Sequence, residues 1–181
     1  MKLLAIDTST DRIVLGLFKD GEKISFIGQD GSKKHNSVLL TYVDALLKEN
    51  GLTCHDIDVY GVVVGPGSFT GIRIGVATVN AIAFACKKKI VAITSLEQLD
   101  DGEEKTVLLD CKHGNYYAAT FGKETHYFET NLTGLTGNGK IEYLTQSDPI
   151  RILDKCIEKS LKKDYTTQAK PFYMKKSSAE R

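Results

Sequence analysis

The hydrophobic rhythm of the chain changes several times along its length. Residues 2–7, 13–19 and 23–27 are short apolar runs, and Asp20-Gly21 separates the last two. Asp-Gly between apolar runs predicts a two-residue hairpin turn, because both of its positions take positive φ. The chain is therefore expected to open as an antiparallel meander. Residues 36–50 switch to helical spacing, with Leu39, Tyr42, Val43, Leu46 and Leu47 recurring on it, Asn36 or Ser37 as the cap and Gly51 just past the end. "DVYGVVVG", residues 58–65, is short, β-branched and uninterrupted, which suits a strand covered on both faces. A glycine-rich turn leads into a second helix over residues 71–86, with Ser68 or Thr70 able to serve as its N-cap, and then another strand runs over 90–94. The order β-β-β-α-β-α-β predicts a mixed sheet with helices on it.

Near "LDDGEEK" charge replaces this pattern, and a domain boundary is expected between residues 103 and 104. Beyond it come a strand, a turn at His113 to Asn115, a second strand, a third in "THYFETNL", and an amphipathic helix over residues 147–163 with Pro149 in its first turn. One helix gives residues 104–181 a lean core, so this region is expected to lean on the first for stability.

Composition narrows the class. Apolar residues make up 41% and charged residues 26% of the 181 positions, the balance of a soluble globular protein. With 24 basic against 23 acidic groups the net charge is +1, which gives no electrostatic footprint for nucleic acid or a membrane surface. Cys54, Cys86, Cys111 and Cys156 form no C-x-x-C pair and read as reduced thiols. The apolar start before Asp7 is too short for a signal peptide, and Arg73, Thr78 and Asn80 interrupt the longest apolar stretch. A cytoplasmic protein with no membrane partner is expected.

The chemistry is mostly defined by exclusion. Gly65, Gly67 and Gly71 fit neither a P-loop nor G-x-G-x-x-G, and no lysine follows them. "GLTGNGKI" does fit G-x-x-x-x-G-K from Gly134 to Lys140, but Ile141 stands where a metal-binding hydroxyl is needed, so a Gly-Asn-Gly hairpin turn is expected there. Ser68 has Pro66 and Thr70 where a nucleophile elbow needs glycines. His35, His55, His113 and His126 offer no H-x-x-x-H pair, so no metal site and no catalytic residue is assigned. Asp7, Thr8 and Ser9 end the first strand in a hydroxyl-rich turn similar to the one that faces the phosphates in actin-like ATPases. They are candidates for nucleotide proximity, or simply turn the chain.

The second helix is the chief anomaly. From residue 72 to 86 its only polar side chains are Arg73, Thr78 and Asn80, and a helix apolar nearly all round must be covered on most of its circumference. Small residues at Gly71, Gly75, Thr78 and Ala81, or at Ala77, Ala81 and Ala85, form a stripe along which another backbone can approach. With the surplus apolar surface of residues 36–50, this predicts a protein interface through Leu39, Tyr42, Val43, Leu46, Gly71, Ile72, Gly75, Thr78, Val79 and Ile82. The alternative is that the two helices bury each other.

Several segments together resemble the TsaB (YeaZ) family: "LLAIDTST", "KKHNSVLL", "VVVGPGSFTGIRIGVATVNAIAFA" and "VAITSLEQL", then more loosely "LDCKHGNYYAATF" and "PFYMKKSSAER". The resemblance implies two tandem actin-like (ASKHA, ribonuclease H-like) α/β domains, the second reduced in this chain. It implies a non-catalytic scaffold and activator that packs its N-terminal helices against the catalytic subunit TsaD, or against itself when alone, with the ATPase TsaE docking on the pair. In that machinery the threonylcarbamoyl group goes to adenosine 37 of tRNAs reading ANN codons. ATP and a divalent metal are expected in the catalytic partner, no cofactor in this chain, and tRNA is met through the complex. The chain departs from the family pattern in its short second region, in Lys112 where alanine is common and in Lys175 where arginine is common. The rival reading is an independent actin-like ATPase or kinase using Asp7, Thr8, Ser9 and Asp110. A metallopeptidase is excluded by ligand count.

Overall fold

Asp20 and Gly21 take φ of 53° and 87°, so the hairpin turn forms where the sequence puts it. The computed structural model describes residues 1–28, 35–135 and 139–174. The turn joins β2 (Ile13–Lys19) to β3 (Glu22–Gly28), and β2 also pairs antiparallel with β1 (Leu3–Asp7). β4 (Val59–Val63) and β5 (Lys89–Ile93) then add in parallel on the other side of β1, giving a mixed sheet of order β3-β2-β1-β4-β5. The crossovers are α1 (His35–Glu49) and α2 (Phe69–Cys86). Ser68 caps α2, its side chain accepting from the Gly71 N–H at 3.3 Å. α1 begins at His35, so Asn36 and Ser37, expected as its cap, fall inside the helix instead; the side chains of residues 35–37, and Lys175, lie outside the described residues.

β1 is buried over its whole length, and its alternation divides the core in two. Leu4 and Ile6 face α1 and α2, in a cluster with Leu15, Leu17, Leu39, Val43, Ile72, Val76 and Val79. Leu3 and Ala5 face the opposite way, toward Ile152, Leu153 and Cys156 of a third helix, α3 (Pro149–Leu161). That helix begins as expected, with Pro149 in its first turn and Asp148 accepting from the Ile150 and Arg151 N–H groups. It packs on the first sheet rather than on the second.

The second sheet, order β8-β7-β6-β9, is built from β6 (Lys105–Asp110), β7 (Asn115–Phe121), β8 (His126–Asn131) and β9 (Lys140–Tyr143). One of its faces packs Val107, Ala119 and Phe121 against Leu96, Leu99 and Leu144. Among the described residues no helix covers the other face, where Phe128, Ile141 and Tyr143 are exposed. The hairpin expected at Gly-Asn-Gly is corrected here. β9 pairs in parallel with β6, at the opposite edge of the sheet from β8, so the intervening segment is a crossover. A parallel partner offers "KIEY" a buried neighbour in Val107 and Leu108, which a hairpin with the exposed β8 would not. Part of that segment, residues 136–138, lies outside the described residues.

After α3 the chain returns across the first sheet. Thr166 bridges to Ile90 at the β5 edge, Ala169 exchanges hydrogen bonds with the Asn80 side chain at 2.8 and 2.9 Å, and Phe172 N–H donates to the Val64 carbonyl.

Candidate functional site

Among the described residues, the cleft between the sheets and the outer face of α2 are the surfaces on which the expected site residues fall. The cleft, about 730 Å3, is bounded by the turn after β1, the N-terminus of α2, the 3-10 turn Leu96–Leu99, the end of β6 and the segment before α3. The glycine run forms one wall because it is stitched down at several points. Ser68 N–H donates to the Ser9 carbonyl, Ser95 N–H to the Gly65 carbonyl and Ser95 Oγ to the Pro66 carbonyl at 2.7 Å.

Asp7, Thr8 and Ser9 are all buried, at 0%, 1% and 4% exposure, and each is committed within the chain. Asp7 accepts from the Ser9 N–H through Oδ1 at 2.7 Å and from the Ser147 hydroxyl through Oδ2. Thr8 Oγ1 donates to the Gly71 carbonyl at 2.7 Å. Of the three, only Ser9 lines the cleft. On the rim two carboxylates, Asp11 and Asp110, stand against one ammonium, Lys112. The rim is thus net negative, and the inner acid, Asp7, is already engaged. Among the described residues no three His, Cys, Asp or Glu side chains are grouped to hold a metal ion.

Gln98 and Ser147 belong to this buried network and carry no motif by which a sequence reading would find them. Gln98 Oε1 accepts from the Asp148 N–H at 3.1 Å and lies 3.2 Å from Ser147 Oγ, which fixes the amide orientation. Its Nε2 is buried without a partner, a cost of about 1–3 kcal/mol for an orphaned donor.

The helix faces differ from the expected interface. Leu39, Val43, Leu46, Ile72 and Val79 are at most 4% exposed, because the first sheet takes these largest apolar side chains for its own core. Tyr42 is half-buried against Phe26, with ring centroids 5.0 Å apart, and Thr78 and Ile82 are half-buried. Gly71 and Gly75 are approached by Thr8 of the same chain: a β-carbon at Gly71 would collide with the Thr8 carbonyl oxygen, and one at Gly75 with the Thr8 hydroxyl. The open stripe is the other one. Ala77, Ala81 and Ala85 are exposed, with Phe84 beside them at 87% and Leu40 of α1 at 57%. α2 has the length and mean hydropathy, 1.5, of a membrane span, yet only 33% of it is buried. At its N-terminus Arg73 lies 3.9 Å over the Phe69 ring and donates to the Tyr173 hydroxyl, away from the cleft's charged rim.

The family described as TsaD, tRNA N6-adenosine threonylcarbamoyltransferase, matches residues 26–174. The chain belongs to this family. Within it the TsaB (YeaZ) members are its relatives: the tRNA threonylcarbamoyladenosine biosynthesis protein TsaB of Haemophilus influenzae is 28% identical over 131 residues, covering 68% of this chain and 55% of the relative. The chain thus spans about half the length of that protein. A tRNA N6-adenosine threonylcarbamoyltransferase of Brachyspira hyodysenteriae is 28% identical over 109 residues, covering 51% of this chain and 32% of the other. A crystal structure from Pseudomonas aeruginosa, described as similar to peptidase YEAZ, superposes with a TM-score of 0.83 at 20% identity, covering 96% of this chain and 99% of the other. The two-sheet α/β architecture is that of the actin-like TsaB (YeaZ) fold.

Proposed function

We propose that this chain is a non-catalytic scaffold and activator in the formation of threonylcarbamoyladenosine at position 37 of tRNAs reading ANN codons. It pairs with a TsaD-type catalytic subunit and, when alone, with a second copy of itself, through the helices of the unit spanning residues 1–103. TsaE joins the assembled pair, ATP and a divalent metal belong to the catalytic partner, tRNA is met through the complex, and the complex is cytoplasmic. The outer face of α2 carries this reading. Ala77, Ala81, Ala85 and Phe84 keep an apolar stripe in water on a helix whose small side chains admit a second helix closely, with Leu40 extending the patch onto α1. Each Å2 of that surface covered by a partner contributes roughly 25 cal/mol before the costs of association.

Co-expression with a TsaD-type subunit tests it. Ala81→Arg and Phe84→Asp place charge on the open stripe and are expected to abolish co-purification, while depletion of the protein lowers threonylcarbamoyladenosine in cellular tRNA. Retention of the partner by both variants overturns the interface. Normal tRNA modification on depletion overturns the function.

A further inference from the structure

We propose that Arg73 makes the α2 face select its partner, a step that rests on the interface reading above: it binds an Asp or Glu carboxylate on a helix of the TsaD-type subunit, a contact that two copies of this chain do not make between them. Arg73 is the one charged side chain of α2. It is exposed and stands on the open stripe, since Arg73, Ala77, Ala81 and Phe84 succeed one another at helical spacing along one side.

The head of this side chain is held in place before any partner arrives. Its guanidinium carbon lies 3.9 Å from the centre of the Phe69 ring, and Phe69 stacks on Tyr173 with centroids 4.6 Å apart. Arg73 Nε donates to the Tyr173 hydroxyl at 2.9 Å. Tyr173 is anchored through its neighbour Phe172, whose N–H donates to the Val64 carbonyl at 2.8 Å. These contacts use Nε and a ring face and leave both Nη groups to donate elsewhere. Among the described residues the arginine ion pairs belong to Arg151, and no carboxylate pairs with Arg73.

A helix laid along Ala77, Ala81 and Phe84 also takes water from Arg73, and a cation desolvated without a partner opposes association. A carboxylate meets this need by accepting two parallel hydrogen bonds from the Nη fork. A fork already positioned by Phe69 and Tyr173 loses little freedom in making them. A second copy is poorly equipped to supply that carboxylate. The exposed acids of α1, which packs beside α2, are Asp44, held by Lys48 at 2.7 Å, and Glu49 at the far end of the helix. One cation on an otherwise apolar helix face also suits a protein helix, whereas a nucleic-acid backbone is bound by several cations together.

The test titrates the intact chain into a purified TsaD-type subunit by calorimetry and follows self-association of the chain by sedimentation. Arg73→Gln is expected to weaken pairing with the subunit about thirty-fold and to leave self-association within about two-fold of the native chain. Arg73→Lys keeps the charge without the fork and is expected to fall between the two. Arg73→Glu is expected to regain affinity on a single acid-to-lysine exchange in the partner's contact helix. Where Arg73→Gln lowers the urea midpoint, Arg73→Lys and the charge exchange decide. Full affinity of Arg73→Gln for the subunit, with Ala81→Arg still abolishing pairing, overturns the proposal and leaves the interface standing. Equal loss in self-association overturns it in favour of a second copy, and loss of tRNA binding with subunit affinity intact overturns it in favour of phosphate. A native chain that does not pair with the subunit at all overturns the interface reading and this proposal together.

Discussion

At Gly71 a methyl group would need the space of the Thr8 carbonyl oxygen, a backbone atom of the turn after β1 that is itself held by the Thr8 hydroxyl bond back to Gly71. The neighbour cannot swing away as a side chain can. Gly71→Ala is therefore expected to cost about 1–3 kcal/mol, read as a lowered denaturation midpoint in urea, with α2 displaced from β1. The sequence displays the small residue but not what approaches it, which is why the same glycine reads equally well as a docking stripe for another protein. Charge behaves differently at Asp101, whose carboxyl is held down to about 2, against 3.8 ordinarily, first by its hydrogen bond from the Lys105 ammonium and then by the Glu103 N–H. A depressed carboxyl adds stability that is complete above its unfolded value and lost as pH falls through its folded one, so this contribution fades between about pH 4 and pH 2. Titration of the Asp101 carboxyl by NMR is expected to show the low midpoint in the native chain and a rise toward the ordinary value in Lys105→Met.

At the scale of elements, α3 is the piece whose position sets the architecture. Leu153 is fully buried against the first sheet, and Leu153→Ala is expected to destabilise the protein by about 2–5 kcal/mol in a chemical denaturation series. A fragment of residues 1–103 leaves Leu3, Val14, Val63, Val91 and Ile93 without cover on that face and is expected to be unfolded or aggregated by circular dichroism and light scattering. A soluble, cooperatively melting fragment would contradict this dependence on α3. The spacing of Ile152, Leu153 and Cys156 declares that α3 buries one face, and Pro149 declares where it starts. Neither says which sheet receives it, since an amphipathic face is equally satisfied by any apolar surface of matching size. β9 is illegible for a related reason: four residues of mixed polarity carry no period, and only the vacant edge of β6 makes them a strand.

For the molecule as a whole, the mixed first sheet, its two crossover helices and the small second sheet are legible from periodicity and turn residues. The cleft network is not. Gln98 and Ser147 are ordinary polar residues until folding sets Ser147 between Gln98 and Asp7, which comes from the other end of the chain. The α2 stripe lies between these extremes, visible as surplus apolar surface but resolved into an inner and an outer face only by packing. Because Ala81 is exposed and touches no core, Ala81→Arg is expected to leave the unfolding free energy within about 0.5 kcal/mol of the native chain. Sedimentation at high protein concentration is expected to show the native chain self-associating and this variant remaining monomeric.

The place of α3 also bears on how the protein is made. A ribosome finishes β5 some sixty residues before Leu153 emerges, an interval of roughly 3–12 s at bacterial elongation rates. Throughout that interval the face of the first sheet that α3 covers in the folded chain is without that cover, so the nascent chain is expected to engage a chaperone that shields apolar strands until α3 emerges.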